Sequence, residues 1–308
     1  MCLAIEPWVG LFLTELFEFF EIVGASLTGA LSPGVAMTTT EKAPAYGTRA
    51  WFKKAYRSTP DDPWGLSWRL SQLVRYDLIV KILKRHVPGK ESSLGVLDIG
   101  CATGDFASTL SSALGMPGGR LIAVDFSEEA IFRARKKYLD VDFRVMSIDA
   151  VGAPFRDSMD VITCMEVLYY LDDIQRKEAL ENMKNALKEG GLLLVSSRIS
   201  RSPYFQKDEL REFVAAEFDI VEAGEIHVGF MGGVEKFVMR VNKLFYKLGL
   251  GNPTRLLRRI IPTTNIRLGK AIEKVSRLCG PITASHAYVL ARKRSNLHRA
   301  EIRLRRLS

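Results

Sequence analysis

Short apolar runs, each closed by glycine or aspartate and followed by apolar positions at helical spacing, recur between residues 95 and 229. Val96, Leu97 and Ile99 predict a buried strand over 95–100, and Gly100 and Gly104 mark a turn into a helix over 104–115. The pattern repeats as strand 120–125 and helix 128–139, then strand 141–147 and a loop to Phe155. Strand 159–165 is followed by helix 173–188, Gly190 and Gly191 open strand 192–197, and helix 207–217 leads to strand 218–228. Alternating strands and helices of this kind build a doubly wound α/β fold with a mostly parallel seven-stranded sheet, the seventh strand being 286–291. Ligands of such sheets sit at the carboxyl ends of the strands.

Upstream, Leu3 to Met37 is strongly apolar, but Glu6, Glu15, Glu18 and Glu21 interrupt any membrane-length run, and no basic start marks a secretory signal. Leu13, Leu16, Phe17, Phe20 and Val23 fit a short amphipathic helix, and Met37 is an alternative native start. Residues 38–63 read as polar and turn-rich. A helical period runs from Trp64 to Leu83 between Pro63 and Pro88. It serves either to pack on the sheet or as a lid presenting Trp64, Trp68 and Arg75 to the ligand.

Beyond Val228 the pattern changes. Val234, Phe237, Val238, Val241, Leu244, Phe245 and Leu248 stripe one helix, and Leu268, Ala271, Ile272, Val275 and Leu278 stripe another. Residues 230–283 thus form a helical insertion before the last strand. The expected organisation is an extension over 1–60, a core over 61–229, a cap over 230–283, the last strand over 284–294 and a tail over 295–308.

Charge sharpens this division. The chain of 308 residues carries a formal +9, yet 230–283 alone holds eleven Lys/Arg against Glu235 and Glu273. The tail from Ala291 adds seven against Glu301, which leaves the remainder acidic, at −6. The basic cap, with Arg255, Arg258 and Arg259, is therefore expected to receive an anionic or acyl part of a ligand or to touch an anionic surface. Four widely spaced cysteines and four histidines suggest neither a disulfide framework nor a metal centre. A cytoplasmic protein is the expectation.

The chemistry concentrates at the strand ends. Asp98 stands just before Gly100, where dinucleotide sites usually have an apolar residue, and the spacing Gly-x-Ala-x-Gly lacks the third glycine of the dinucleotide fingerprint. A carboxylate there repels a pyrophosphate and suits a cationic amine. Asp125 ends the second strand, where it can accept from ribose hydroxyls. Asp149 ends the third and can accept from an adenine amino group, with Ile148 and Phe126 flanking the ring.

The segments Val96-Leu-Asp-Ile-Gly-Cys-Ala-Thr-Gly104, Ile122-Ala-Val-Asp-Phe-Ser127 and Met159-Asp-Val-Ile-Thr-Cys-Met-Glu-Val-Leu-Tyr-Tyr-Leu171 resemble class I S-adenosylmethionine-dependent methyltransferases over about 60–229 and the last strand. Asp62-Pro-Trp-Gly65, Arg75-Tyr76 and Glu166 to Leu171 are similar to the nodulation protein S group, N-methyltransferases of an oligosaccharide amine. Gln72 departs from that group's expected glutamate, and Ala102 from the middle glycine. The resemblance implies S-adenosylmethionine as cofactor and S-adenosylhomocysteine as product. It gives Asp98, Gly100, Cys101, Ala102 and Gly104 the amino-acid end, and Asp125, Phe126 and Ser127 the ribose side. Ile148, Asp149 and Ala150 would hold the adenine, while Trp64, Arg75 and Met165 would line the pocket.

Glu166 is the first candidate to orient a nucleophile or take its proton, with Tyr169, Tyr170 and His227 as further candidates. Glu166 can instead cap the following turn, the tyrosines can simply pack, and a lone histidine is commonly structural. The expected acceptor is a small molecule, an amine ahead of a hydroxyl, rather than nucleic acid, because Cys164-Met-Glu-Val167 lacks the pattern of base amino methylation. A non-catalytic binding protein of the same fold is the rival reading.

Overall fold

The structure is a computed structural model that describes residues 45–58, 62–87, 93–116, 121–206, 208–247 and 265–294. The expectations for 3–37, for a start at Met37, for Arg255, Arg258 and Arg259 and for the tail after 294 lie outside those residues.

Seven strands form one sheet: β1 (Val96–Ile99), β2 (Leu121–Asp125), β3 (Asp142–Val145), β4 (Met159–Met165), β5 (Leu187–Arg198), β6 (Phe218–Ile226) and β7 (His286–Lys293). Their spatial order is β3-β2-β1-β4-β5-β7-β6. β1 pairs in parallel with β2 and β4, β2 with β3, and β4 with β5. β7 enters antiparallel between β5 and β6. The order reverses between β1 and β4, which opens a crevice above their carboxyl ends.

Both faces of the sheet are covered, so its strands read as apolar runs rather than alternations. Val96 packs on one face with Val74, Ile79 and Leu83, while Leu97 and Ile99 face Ile162, Leu180 and Leu193 on the other. The first face is covered by α2 (Leu70–His86), α3 (Asp105–Leu114) and α4 (Glu128–Lys137), the second by α5 (Asp173–Ala186) and α6 (Glu209–Ala215).

β3 and β6 end two residues earlier than expected, at Val145 and Ile226, and three larger departures stand beside them. A helix, α1 (Arg49–Ser58), occupies part of the stretch read as polar and turn-rich. Its polar residues face outward while Tyr56 is buried. The period read from Trp64 becomes helical only at Leu70, because Asp62 ties 62–69 into turns: Oδ1 accepts from Trp64 N at 3.2 Å and Oδ2 from Ser67 N at 2.8 Å. β5 begins at Leu187, ahead of the glycine pair, pairing with Met159.

The segment after β6 forms α7 (Gly229–Lys247) and α8 (Ile266–Leu278), both against α2. Gly269 of α8 is held to hydrogen by that approach, since a Cβ there would fall 2.6 Å from Val74 Cγ2 and 2.7 Å from Leu70 Cδ1. From α7 the buried carboxylate of Glu235 accepts from Ser71 N and from Arg69 Nε, each at 2.8 Å. It thereby caps a helix whose own cap residue, Arg69, supplies no side-chain bond. This contact fixes the start of α7 beside the carboxyl ends of the strands.

Candidate active site

A cavity of about 770 Å³ opens over those strand ends. Its size suits a nucleoside-sized ligand together with a small second molecule. Of the cofactor candidates, Asp98, Gly100, Cys101 and Ala102 line it at the end of β1, Asp125 and Phe126 at the end of β2, and Ile148 and Asp149 after β3. Trp64, Arg75 and Met165 also line it, as do Glu166, Tyr169 and Tyr170.

The turn after β1 is shaped for close approach. Gly100 has φ 76°, and a Cβ on it would fall 2.2 Å from Val167 Cγ2. Gly100 N and Cys101 N both donate to Val124 O, at 2.8 and 3.0 Å, and Ala102 takes a positive φ of 48°. Ala102 N donates to Asp125 Oδ2 at 3.0 Å while Ser127 N donates to Oδ1 at 2.9 Å, so Asp125 stands fixed before any ligand arrives.

Burial pushes Asp125 up to about 6 against those two backbone donors. Asp98 is pushed up to about 7 by burial, the bond from Thr163 opposing and the charge of Asp125 adding. Thr163 Oγ1 donates to Asp98 Oδ1 at 2.7 Å, but Asp98 Oδ2 is buried with no partner among the described residues. An orphaned carboxylate oxygen of this kind is costly unless a donor, best of all a cation, completes it. Burial and the neighbouring carboxylates Asp125 and Asp98 hold the Cys101 thiol well above its ordinary range, so it remains protonated.

Four candidates fall outside the lining. Gly104 is demanded by packing: at φ 82°, a Cβ would lie 2.6 Å from Phe143 Cζ. Ser127 caps α4 by accepting from Ala130 N and steadies Asp125 through its own N–H. Ala150 is exposed beyond Asp149. His227 turns away, its Nδ1 3.0 Å from Thr283 Oγ1, and Val228 lines the cavity in its place. Trp68 of the proposed lid is likewise absent from the lining.

The histidine that faces the cavity is His286, the first residue of β7 and the register partner of Arg198 on β5. Its Nδ1 lies 2.8 Å from Ser285 Oγ and its Nε2 3.7 Å from Glu166 Oε2. Burial and the charges of Arg75, Arg198, Arg69 and Lys236 hold it well below the usual imidazole range, in the neutral form. Glu166 has φ 62°, a strained setting for a non-glycine residue. Its Oε1 accepts from Ser196 Oγ at 3.2 Å and lies 3.5 Å from Arg75 Nη1; its Oε2 accepts from Arg198 N at 3.1 Å.

Aromatic rings line one wall of the cavity. Phe52 of α1 meets Phe126, Tyr170 and Trp64 at ring separations of 5.2, 5.0 and 5.8 Å. Tyr169 stacks obliquely on Tyr204 at 4.8 Å. Burial raises both Tyr169 and Tyr170, which therefore act as neutral phenols. Trp51 and Phe52 were missed in the sequence, although Trp51, Phe52, Ala55 and Tyr56 form one helical face.

Residues 96–191 match a family described as a methyltransferase domain. Together with the sheet order, the match places this chain's fold with the class I methyltransferases. Among curated relatives, a ubiquinone biosynthesis O-methyltransferase of Xanthomonas campestris pv. campestris (strain B100) is 34% identical over 112 residues. That alignment covers 35% of this chain and 44% of the relative, so the chain spans less than half of that relative's length. An enzyme of the same name from Azotobacter vinelandii is 31% identical over 147 residues, 46% of this chain and 57% of the relative.

Among solved structures, the N-methyltransferase NodS from Bradyrhizobium japonicum WM9, in complex with S-adenosylhomocysteine, superposes with TM-score 0.51 at 17% identity. The superposition covers 79% of this chain and 98% of that one. The [4+2]-cyclase SpnF follows at TM-score 0.50 and 16% identity, covering 71% and 81%. At these identities the likeness is one of fold, and a fold shared with a cyclase leaves the reaction to be argued from the site.

Proposed function

We propose that the chain is an S-adenosylmethionine-dependent methyltransferase acting on a small molecule. The observation that carries this reading is the row of three carboxylates at successive strand ends, with Asp98 Oδ2 unpartnered beside them. Asp98 would take the cofactor's ammonium group, Asp125 the ribose hydroxyls and Asp149 the adenine amine. Gly100 brings backbone close to the amino-acid end, and the buried guanidinium of Arg75, whose Nε lacks a partner, would meet the carboxylate. The bound cofactor supplies a sulfonium methyl for in-line displacement.

The rest of the work belongs to the protein. Phe52, Tyr170 and Trp64 exclude water at the mouth, and the wall on the far side of Met165 aligns the acceptor. His286, neutral and in the cavity wall, would orient an acceptor hydroxyl through Nε2, with Ser285 beside Nδ1. The cations that hold His286 neutral favour an acceptor oxygen ionised to its anion and disfavour an ammonium. This reverses the order expected from sequence, placing a hydroxyl ahead of an amine. Glu166 supports the amine reading, since its carboxylate could orient an N–H.

Isothermal titration with S-adenosylhomocysteine, followed by radiolabelled methyl transfer to panels of phenols, alcohols and amines, tests the proposal. Saturable binding and label in a hydroxyl product are expected. Absence of S-adenosylhomocysteine binding overturns the cofactor reading, and label confined to amines overturns the acceptor reading.

A further inference from the structure

Beyond Glu166 the cavity wall changes sign. Arg198 ends β5, Lys236 comes from the second turn of α7, and Arg69 precedes α2; all three line the cavity. Only Arg69 has a carboxylate of its own, Glu235. Among the described residues no carboxylate pairs with the guanidinium of Arg198, which lies over the Tyr204 ring at 5.2 Å, or with the Lys236 ammonium. The Glu166 carboxylate is reached by the Arg198 backbone N–H and is otherwise engaged by Ser196 and Arg75.

These cations repel one another. Lys236 is held below the ordinary lysine range by partial burial and by Arg198, Arg69 and Arg240. Like charges converging on a cavity are stabilised by a bound anion. The cofactor's carboxylate is not the natural candidate, because the acids that would grip that molecule stand at the carboxyl ends of β1 and β2 and just after β3, whereas Arg198 lies on the other side of β4.

We propose that Arg198 and Lys236 form an anion subsite for the acceptor, so that the substrate carries a carboxylate or phosphate on an aromatic or apolar body. Tyr204, Tyr169 and Tyr170 supply the surface for that body, and Arg198 is stiffened for bidentate contact by its stacking on Tyr204. The anion then fixes which end of the acceptor points at the methyl group and at His286. This inference rests on the methyltransferase reading for its account of which molecule is the acceptor.

The test uses phenyl phosphate, 4-hydroxybenzoate, inorganic phosphate and phenol as probes, titrated into the full chain with and without saturating S-adenosylhomocysteine. Phenyl phosphate or 4-hydroxybenzoate is expected to bind at least about tenfold more tightly than phenol, the gain of one charge-assisted contact. Inorganic phosphate, which lacks the body, should bind more weakly than phenyl phosphate. In Arg198→Gln and Lys236→Gln the preference over phenol should fall at least about threefold each, with S-adenosylhomocysteine affinity unchanged, which also shows that the variants are folded.

Equal binding of phenol and both anions overturns the subsite, as does an undiminished preference in both Arg198→Gln and Lys236→Gln. Equal or tighter binding of inorganic phosphate assigns the cluster to a free anion. Loss of S-adenosylhomocysteine affinity in the variants assigns it to the cofactor. Failure of the wild-type chain to bind S-adenosylhomocysteine removes the methyltransferase reading, while the anion preference still stands or falls on the probes alone.

Discussion

At one end of the cavity stand Asp98 near the end of β1, Asp125 at the end of β2 and Asp149 after β3; at the other, Arg198 and His286 face each other across β5 and β7, and Lys236 leans in from α7. The two ends share a sheet and differ in how they are built. The acidic end comes from consecutive strand-to-helix connections: Asp98 near the end of β1 accepts from Thr163 of β4, and Asp125 at the end of β2 accepts from Ala102 N and Ser127 N. The basic end is assembled from residues nearly ninety positions apart and depends on an antiparallel strand slotted beside β5. The family match, 96–191, contains the acidic end and stops before Arg198, Lys236, Ser285 and His286. The acidic end therefore falls inside the matched stretch and the basic end outside it.

The largest way to separate the ends is His286→Gln. Loss of the group that orients the acceptor should lower transfer to a hydroxyl acceptor about 10²-fold while leaving S-adenosylhomocysteine affinity within about twofold. Single-turnover rates beside calorimetric affinities would check this, and an equal fall in both would merge the ends. Asp125→Asn acts on the opposite end: removal of a charged acceptor should weaken S-adenosylhomocysteine by about tenfold to a hundredfold without altering the anion preference of Arg198 and Lys236.

A milder probe is pH. Asp98 and Asp125, raised to about 7 and about 6, must be ionised to hold an ammonium and ribose hydroxyls. S-adenosylhomocysteine affinity should therefore fall as pH drops below about 7. The ligand-free chain should do the reverse. Its folded carboxyls bind protons that the unfolded chain lacks between about pH 4 and 7, so their contribution to stability improves as pH falls through that window. Glu222 has the opposite sign: burial opposes its charge, but bonds from His86, Arg85 and Tyr288 prevail and hold it down at about 2. Its contribution is lost as pH falls below its ordinary value of 4.5. Thermal melts of the ligand-free protein from pH 4.5 to 8 would expose the first trend apart from the second.

The smallest effect concerns the joint between the ends. Glu235→Gln should cost about 2 kcal/mol, because it leaves Arg69 uncompensated and weakens the cap of α2. Denaturant unfolding measures it. A change under about 0.5 kcal/mol would mean that α7 is held by its apolar contacts instead.

This contrast also explains what could be read from the chain. Asp98, Asp125 and Asp149 were legible because each closes an apolar run, and local punctuation suffices to put them on one edge of a parallel sheet. His286 was not legible, since nothing local says that β7 inserts next to β5, and a histidine opening a strand carries no pattern of its own. His227 was the natural sequence candidate, yet it lies past the end of β6 with its ring on Thr283, and Val228 took the cavity. The aromatic wall was hidden for another reason: α1 spans only ten residues, and its charged positions masked a short apolar face.

One experiment bears most directly on the two-ended cavity: titration of S-adenosylhomocysteine and NAD into the wild-type chain, Asp98→Asn and Arg198→Gln at pH 7.5. Saturable binding of S-adenosylhomocysteine alone, weakened at least about tenfold in Asp98→Asn and unchanged in Arg198→Gln, is the predicted result. Binding of NAD in preference, or equal losses in the two variants, would contradict it.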